Sequence, residues 1–320
     1  MQTAIIYGPG DVRVDDVDIP APAPGDVLVR VKASGICGSD VHRYLGTDYA
    51  RTYFTYPMNS GHEYCGDVVE VGNQVRRFQL GDRVTLGAAW TSGDLGAFSE
   101  YLLVRDADTR LCKVPQDMPH VDGALLETFL VAMRSFRRPG PTPDDRILIL
   151  GAGPIGLCVL LYCRAMGLAR ITVSEPSAVR RELAGRLGAV TVDPGAQDLA
   201  EVVRASTNGQ GIDVTFECAG QEATLKQALN LTRPGGRISL IGHYRRTPHF
   251  SIEDLVVKAL NVFGPADGHE PYFEEAVDLV VDGRVDLAQL VSHRFPIAAA
   301  RQAFLTAADV DTSVKVVLVP

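Results

Sequence analysis

The feature that most constrains this 320-residue chain is the run Ile147-Leu148-Ile149-Leu150-Gly151-Ala152-Gly153-Pro154-Ile155-Gly156. Four apolar residues read as a buried strand, a G-x-G-x-x-G spacing follows at once, and an apolar stretch from Leu157 to Cys163 continues as a helix. A strand that turns straight into a helix through three glycines belongs to a βαβ unit, and so to a parallel sheet. Gly151 permits the tight turn, Gly153 lets backbone approach a pyrophosphate, and Gly156 packs helix on strand. Pro154 and Ile155 complete the loop, and the helix N-terminus attracts the anion.

The surrounding pattern supports this reading. From about residue 146 the apolar, β-branched runs RILIL, ARITV, IDVTFEC, GRISLIG and NVFG alternate with segments of helical period. The second run ends in Glu175, about 20 residues past the glycines, where an acidic side chain can bond adenosine ribose hydroxyls. Glu175 repels a 2′-phosphate and so favours NAD, while the nearby Arg180 and Arg181 keep NADP as the alternative. Between these runs, AVRRELAGRLGA reads as a crossover helix, and SIEDLVVKAL as another opened by a capping box at Ser251-x-x-Asp254. EPYFEEAVDLVVDG reads as a helix stopped by Gly283, and SVKVVLVP as a closing strand expected to rejoin the first domain.

Residues 1–128 differ. Short β segments such as VLVRVKASGIC, GDVVEVG and GDRVTL are punctuated by Gly, Pro and Asp, so this half is β-rich. Two domains suit a chain of this length. A net charge of −8 with no Lys/Arg block gives nucleic acid nothing to grip. The longest uncharged run, Ile147 to Cys163, is interrupted by glycines and a proline, which argues against a membrane span. The first residues lack a basic region, an apolar core and a cleavage site, so a cytoplasmic location is expected. Six cysteines with no C-x-x-C pair fit thiols in a reducing compartment.

The first half also carries Cys37-Gly38-Ser39-Asp40-Val41-His42 and Gly61-His62-Glu63-Tyr64-Cys65-Gly66. Cys, His and Glu are zinc ligands, and three protein ligands leave the open position of a catalytic site. GHEYCGDVVEVGNQV resembles the signature of the zinc-containing alcohol dehydrogenases of the medium-chain dehydrogenase/reductase superfamily. CGSDVH and the run Glu127-Thr-Phe-Leu-Val-Ala-Met-Arg-Ser-Phe-Arg-Arg resemble the sorbitol (polyol) dehydrogenase branch, and the likeness continues through FECAG, RPGGRISLIG and SHRFPIAAARQAF.

The resemblance implies an α/β protein: a GroES-like, β-rich catalytic domain over 1–128, a Rossmann domain with a doubly wound parallel sheet over 129–265, and a C-terminal segment, 266–320, returning to the catalytic domain. It implies that Cys37 and His62 bind a catalytic zinc, that Glu63 is the third ligand, and that Glu127 lies beside the metal directly or through water. His62 and Glu63 are neighbours, whose side chains point opposite ways on a regular strand. Both ligate only if the backbone there is irregular; otherwise Glu127 takes over. Ser39 and His42 fall at positions that relay the substrate proton, and Asp40 and Lys315 at positions that orient the ligand histidine. The implied reaction moves hydride between NAD(H) and a secondary alcohol of a polyol, sugar, cyclitol or amino-polyol, or the matching ketone, with zinc lowering the hydroxyl pKa. Amino-alcohol oxidation of the threonine dehydrogenase kind is the nearest variant, and a homodimer or homotetramer is implied.

The chain departs from that pattern in places. Where relatives carry a four-cysteine lobe for a structural zinc, GDRVTLGAAWTSGDLGAFSEY has no cysteine, so one zinc per chain is expected and no structural zinc. Thr128 and Phe129 replace the usual Pro-Leu, and Arg134 a usual histidine. The loop RYLGTDYARTYFTYPMNS offers Tyr44, Tyr49, Tyr53, Phe54 and Tyr56 either as a substrate wall or as ordinary packing. Cys65 reads as core, and His120, His243, His249, His269 and His293 lack ligand spacing. A zinc-free quinone or enoyl reductase and a non-catalytic nucleotide-binding protein are the competing readings; the retained Cys37, His62, Glu63 and Glu127 argue against both.

Overall fold

A computed structural model describes residues 1–86, 96–265 and 272–320. The cysteine-free segment expected to replace the lobe runs through 87–95, and His269 and the first two residues of EPYFEEAVDLVVDG fall in 266–271; these lie outside the described residues. The strands begin with β1 (Gln2–Gly8), β2 (Asp11–Asp16), β3 (Val27–Gly35), β4 (Met58–Asn59), β5 (Glu63–Val71), β6 (Arg83–Leu86), β7 (Tyr101–Val104) and β8 (Leu111–Lys113). There follow β9 (Ile147–Leu150), β10 (Ile171–Ser174), β11 (Val190–Val192), β12 (Ile212–Glu217), β13 (Thr232–Leu240) and β14 (Asn261–Phe263), then β15 (Val291–Pro296) and β16 (Lys315–Val319). The chain divides into two compact units: Met1–Leu130 with Gly268–Asp309 and Lys315–Pro320, and Val131–Asp267 with Val310–Val314.

The second unit is a parallel sheet in the order β11-β10-β9-β12-β13-β14. That order reverses between β9 and β12, the switch point at which doubly wound sheets bind dinucleotides. Ile147, Leu148, Ile149 and Leu150 are all buried, as a central parallel strand with both faces covered requires. Their register, Ile147 opposite both Ile171 and Val214, places the loop after β9 beside the ends of β10 and β12. The helix Pro154–Ala165 starts on Gly153 with proline at its first position and is buried from Gly156 through Cys163.

In the first unit β3 is the long central strand. It pairs antiparallel with β5, β7 and β16, inside the order β15-β16-β3-β5-β6-β8. Its alternate residues Val27, Val29 and Val31 enter a core with Tyr64, Val84 and Leu111. The closing strand β16 pairs with β3, with Val317 opposite Gly35, and brings Val316 and Leu318 into a second core with Phe98 and Phe304.

One expected element shrinks. SIEDLVVKAL forms only the single turn Glu253–Val256, and Ser251 bonds Glu253 rather than opening a box with Asp254. Leu255 and Leu260 pack against the core of the parallel sheet while Val256 and Val257 are exposed, and Ala259, at φ +49°, leaves helical geometry just after the turn. The helices Ala178–Arg186 and Phe273–Val281 form, the latter closed by Gly283 in the left-handed region. No helix among the described residues is long and apolar enough to cross a membrane.

The strand starts of the parallel sheet are tied by Asp213. Its carboxylate accepts from the Arg146 backbone N–H at 2.8 Å, from Arg146 Nε at 2.7 Å and from Arg233 Nε at 2.6 Å. Burial raises the pKa of Asp213, but the bonds from Arg146 and Arg233 outweigh it and hold the carboxyl well below the usual range. A depressed carboxyl stabilises the fold above its unfolded pKa of about 3.9, and that contribution is lost as pH falls toward the folded value. Asp213→Asn should therefore lose about 2 kcal/mol at neutral pH. Urea denaturation of variant and wild type should converge as pH drops below about 4; an equal gap at all pH values would remove the ion cluster from the explanation.

Candidate active site

Three strand ends converge in the first unit. The chain leaves β3 at Gly35 and reaches Cys37 two residues later; β5 begins at Glu63, opposite Gly35; β16 begins at Lys315. The Ile36 N–H donates to Val316 O, fixing the approach to Cys37. Cys37 caps the helix Gly38–Leu45, and Asp40 reaches back to accept the Cys37 N–H at 3.0 Å, the reciprocal half of a capping box.

Before β5, Gly61 adopts φ +99°, in the left-handed region. His62 therefore lies outside the regular strand, and it need not point away from Glu63. The sulfur of Cys37, a ring nitrogen of His62 and a carboxylate oxygen of Glu63 all lie within 4.8 Å of one another. A soft sulfur, an imidazole nitrogen and a carboxylate gathered in this way fit zinc. The electrostatics fit a cation too: burial would lower the His62 pKa, but the negative charges of Cys37, Asp40 and Glu127 raise it to about 10.

Glu63 is 1% exposed and held at both oxygens. Lys315 Nζ forms an ion pair with Oε2, and Thr128 Oγ1 donates to Oε1 at 2.8 Å. Lys315, also 1% exposed, donates to Ile36 O at 3.1 Å. Burial would lower its pKa, but Glu63, Cys37 and Glu127 more than compensate and keep it charged. Gly35 makes the room: a Cβ there would lie 2.1 Å from Glu63 Oε2. Glu127, on the helix His120–Arg137, is buried and close enough to act electrostatically on both His62 and Lys315.

Ser39 and His42 share a face of the helix Gly38–Leu45. Ser39 Oγ is buried with no hydrogen-bond partner among the described residues. His42 is half-buried, 2.9 Å from Thr47 Oγ1 through Nδ1, with Tyr49 edge-on at 5.7 Å. Asp40 bonds Cys37 N–H and Arg43, and Lys315 engages Glu63. Of the aromatic loop, Tyr44 packs on Phe304, Tyr56 OH donates to Arg43 O, and Phe54 lies under the Arg43 guanidinium. Tyr49 packs on Phe54 and on Tyr53, which is itself 69% exposed. Cys65 is core: burial pushes its thiol up to about 12.

In the second unit the glycine run folds as the fingerprint requires. Gly151 has φ +96°, and a Cβ on Gly156 would lie 1.9 Å from Gly151 O. Glu175 is buried at the end of β10, where its Oε2 accepts the Ala152 N–H at 2.6 Å and its Oε1 the Ser177 N–H at 2.9 Å. Arg180 is anchored through Nε to Ser313 O, with Nη1 3.7 Å from where a Gly153 Cβ would sit. Arg181 bonds Glu175 O and Pro176 O and pairs with Asp193.

Sequence reasoning missed the buried node behind Cys37. Arg43, 1% exposed, donates to Asp40 Oδ1 at 2.5 Å and to Ser60 Oγ at 2.8 Å. The one available signal was the Asp40–Arg43 spacing of three, which also describes any solvated helix pair. The hydroxyl of Thr128 on Glu63 had no signal at all beyond its departure from the family pattern.

Residues 154–282 match the family model described as zinc-binding dehydrogenase, and residues 23–116 the one described as alcohol dehydrogenase GroES-like domain. A sorbitol dehydrogenase of Homo sapiens is 31% identical, over 94% of this chain and 91% of that protein. An L-threonine 3-dehydrogenase of Thermococcus kodakarensis is 33% identical, over 92% and 90%. The crystal structure of 2R,3R-butanediol dehydrogenase from Bacillus subtilis superposes with a TM-score of 0.87 at 30% identity, covering 100% of this chain and 99% of that one. The chain belongs to the zinc-dependent medium-chain dehydrogenases and is sorbitol dehydrogenase-like. It accordingly pairs a GroES-like domain with a Rossmann domain.

Gly35→Ala tests the donor cluster directly. The added methyl displaces the Glu63 carboxylate, so metal content after a chelator wash should fall by about tenfold or more while the circular dichroism spectrum stays that of the wild type. Full metal retention would mean that Glu63 does not help to hold it.

Proposed function

We propose that the protein is a dehydrogenase that moves hydride between NAD(H) and a secondary alcohol of a polyol, sugar, cyclitol or amino-polyol, or the matching ketone, with one zinc per chain and no structural zinc. The observation that carries this reading is the convergence of Cys37, His62 and Glu63 on one small volume. Cys37 and His62 are the ligands, Glu63 is the third, and Glu127 stands beside them. Zinc bound there supplies the Lewis acidity that lowers the substrate hydroxyl pKa, and the nicotinamide supplies the hydride acceptor.

This chain's own residues do the rest. Ser39, whose buried hydroxyl has no hydrogen-bond partner among the described residues, accepts the substrate proton and passes it toward His42, which is half-exposed and can release it to water. Gly151, Gly153, Pro154, Ile155 and Gly156 cradle the pyrophosphate at the helix N-terminus. Arg180, held over Gly153 by Ser313, adds positive charge to that cradle. With Arg181 engaged by Asp193 and backbone carbonyls, and Glu175 presenting an anion, the site favours NAD over NADP. Tyr53, the most exposed ring of that loop, is the aromatic residue that meets substrate.

The enzyme is read as cytoplasmic, which its scattered thiols favour, and as a homodimer or homotetramer. Exposed Val262 on the edge strand β14 and exposed Val256 and Val257 supply an apolar surface for assembly.

The experiment is zinc content of the chelator-washed protein followed by a NAD(H) absorbance screen against sorbitol, 2,3-butanediol, cyclitols, L-threonine and their keto forms. About one zinc per chain with turnover on such a substrate is expected. No metal, with activity confined to quinones or enones, would overturn the mechanism. Ser39→Ala should cut kcat by about a hundredfold with metal content unchanged. An unaltered kcat would take Ser39 out of the proton path.

A further inference from the structure

The holding of Glu63 has a part that no family pattern supplies. A carboxylate presents two oxygens, each with more than one lone-pair direction, so it can accept hydrogen bonds and still ligate. Here Lys315 takes Oε2 and the Thr128 hydroxyl takes Oε1. Behind Oε2 stands Gly35, with no side chain, and the Lys315 Cε lies 3.0 Å from where its Cβ would be. The carboxylate therefore has one wall and two anchors.

The two anchors act differently. Lys315 is a buried, charged ammonium, and a charge-assisted bond to a carboxylate competes with a metal ion for the same electrons. The terminal torsion of a glutamate is soft and broad. Held by Lys315 alone, Glu63 can turn about it and give both oxygens to the ammonium, leaving the Cys37–His62 pair with one donor fewer. The Thr128 bond on the far oxygen prevents that turn. Thr128 sits on the helix His120–Arg137, one residue after Glu127, so the element that carries one glutamate also restrains the other.

We infer that Thr128 is a positioning residue for the metal. Its hydroxyl stops Lys315 from withdrawing Glu63 and so sets how tightly zinc is held. This rests on the reading of Cys37, His62 and Glu63 as the ligand set, and goes beyond it by assigning the third ligand's availability to one hydroxyl.

The test uses the zinc-loaded protein in equilibrium with a chromophoric chelator, without substrate or cofactor. Thr128→Val keeps the shape and removes the donor; zinc affinity should fall by about tenfold. Thr128→Ser should restore the wild-type value, and Thr128→Ala, which adds no apolar contact, should show the same loss as Val. The cobalt-substituted protein adds a spectroscopic reading: Val and Ala variants should shift the visible ligand-field bands, Ser should not. Zinc affinity and cobalt spectra that match the wild type in both Val and Ala variants would overturn the inference alone. A wild-type protein that takes up no zinc, or a Cys37→Ser variant that holds zinc as tightly as the wild type, would overturn the ligand set and this inference with it.

Discussion

The ion pair of Lys315 with Glu63 ties the first residue of β16 to the first residue of β5. Both side chains are 1% exposed, so neither charge can be left to solvent. Removing one partner of such a pair typically costs about 3–5 kcal/mol, because the other stays buried and uncompensated. The pair forms only if β16 lies beside β3 with Val317 opposite Gly35, and only if β5 begins at Glu63 opposite the same glycine. The register of three strands is thus coupled to one electrostatic requirement. A slip of one residue would turn Glu63 to the other face of the sheet and leave Lys315 alone in the core.

A second buried cation repeats the arrangement on the other side of Cys37. Arg43 neutralises Asp40, Asp40 holds the Cys37 N–H, and Ser60 completes the node just ahead of His62. Each of the two segments that bear donors therefore has a carboxylate–cation pair built into it, one to Arg43 and one to Lys315. Cys37, Glu63 and Glu127 bring three potential negative charges, and Lys315 offsets one of them. The groups left over favour a further positive charge in the cluster. The upward pull on His62 reflects the same imbalance. In a low-dielectric site such an imbalance is costly, and it makes metal binding and the local fold depend on each other.

How much of this was legible in the sequence depends on distance along the chain. The glycine fingerprint was, because its requirements fall within ten residues: a turn, a close approach and a helix start. The donor types Cys37, His62, Glu63 and Glu127 were legible as chemistry, but whether His62 and Glu63 could face one volume turned on the backbone at Gly61, which residue types do not reveal. Lys315 donates to the carbonyl of Ile36 from 279 residues away, a contact that only strand order creates. Arg43 was hidden for the opposite reason: a charged residue three positions from an aspartate reads as a solvent-facing pair, and here both are buried. The segment SIEDLVVKAL has helical periodicity, and Leu255 and Leu260 do find the sheet core, but periodicity does not show that Ala259 takes a left-handed conformation that ends the turn early.

Glu175 shows how the same economy works in the Rossmann unit. At the end of β10 it must reach the loop that follows β9, and the glutamate side chain spans that gap to take the Ala152 N–H while its other oxygen takes the Ser177 N–H. A carboxylate with two strong backbone donors is fixed in place, and so is the loop between Gly151 and Gly153. The loop amides are thereby held in one arrangement by the protein itself. Each oxygen keeps a further lone-pair direction beyond these two bonds. Glu63 and Glu175 thus follow one rule: each is a buried glutamate whose two oxygens are both anchored by the protein's own donors.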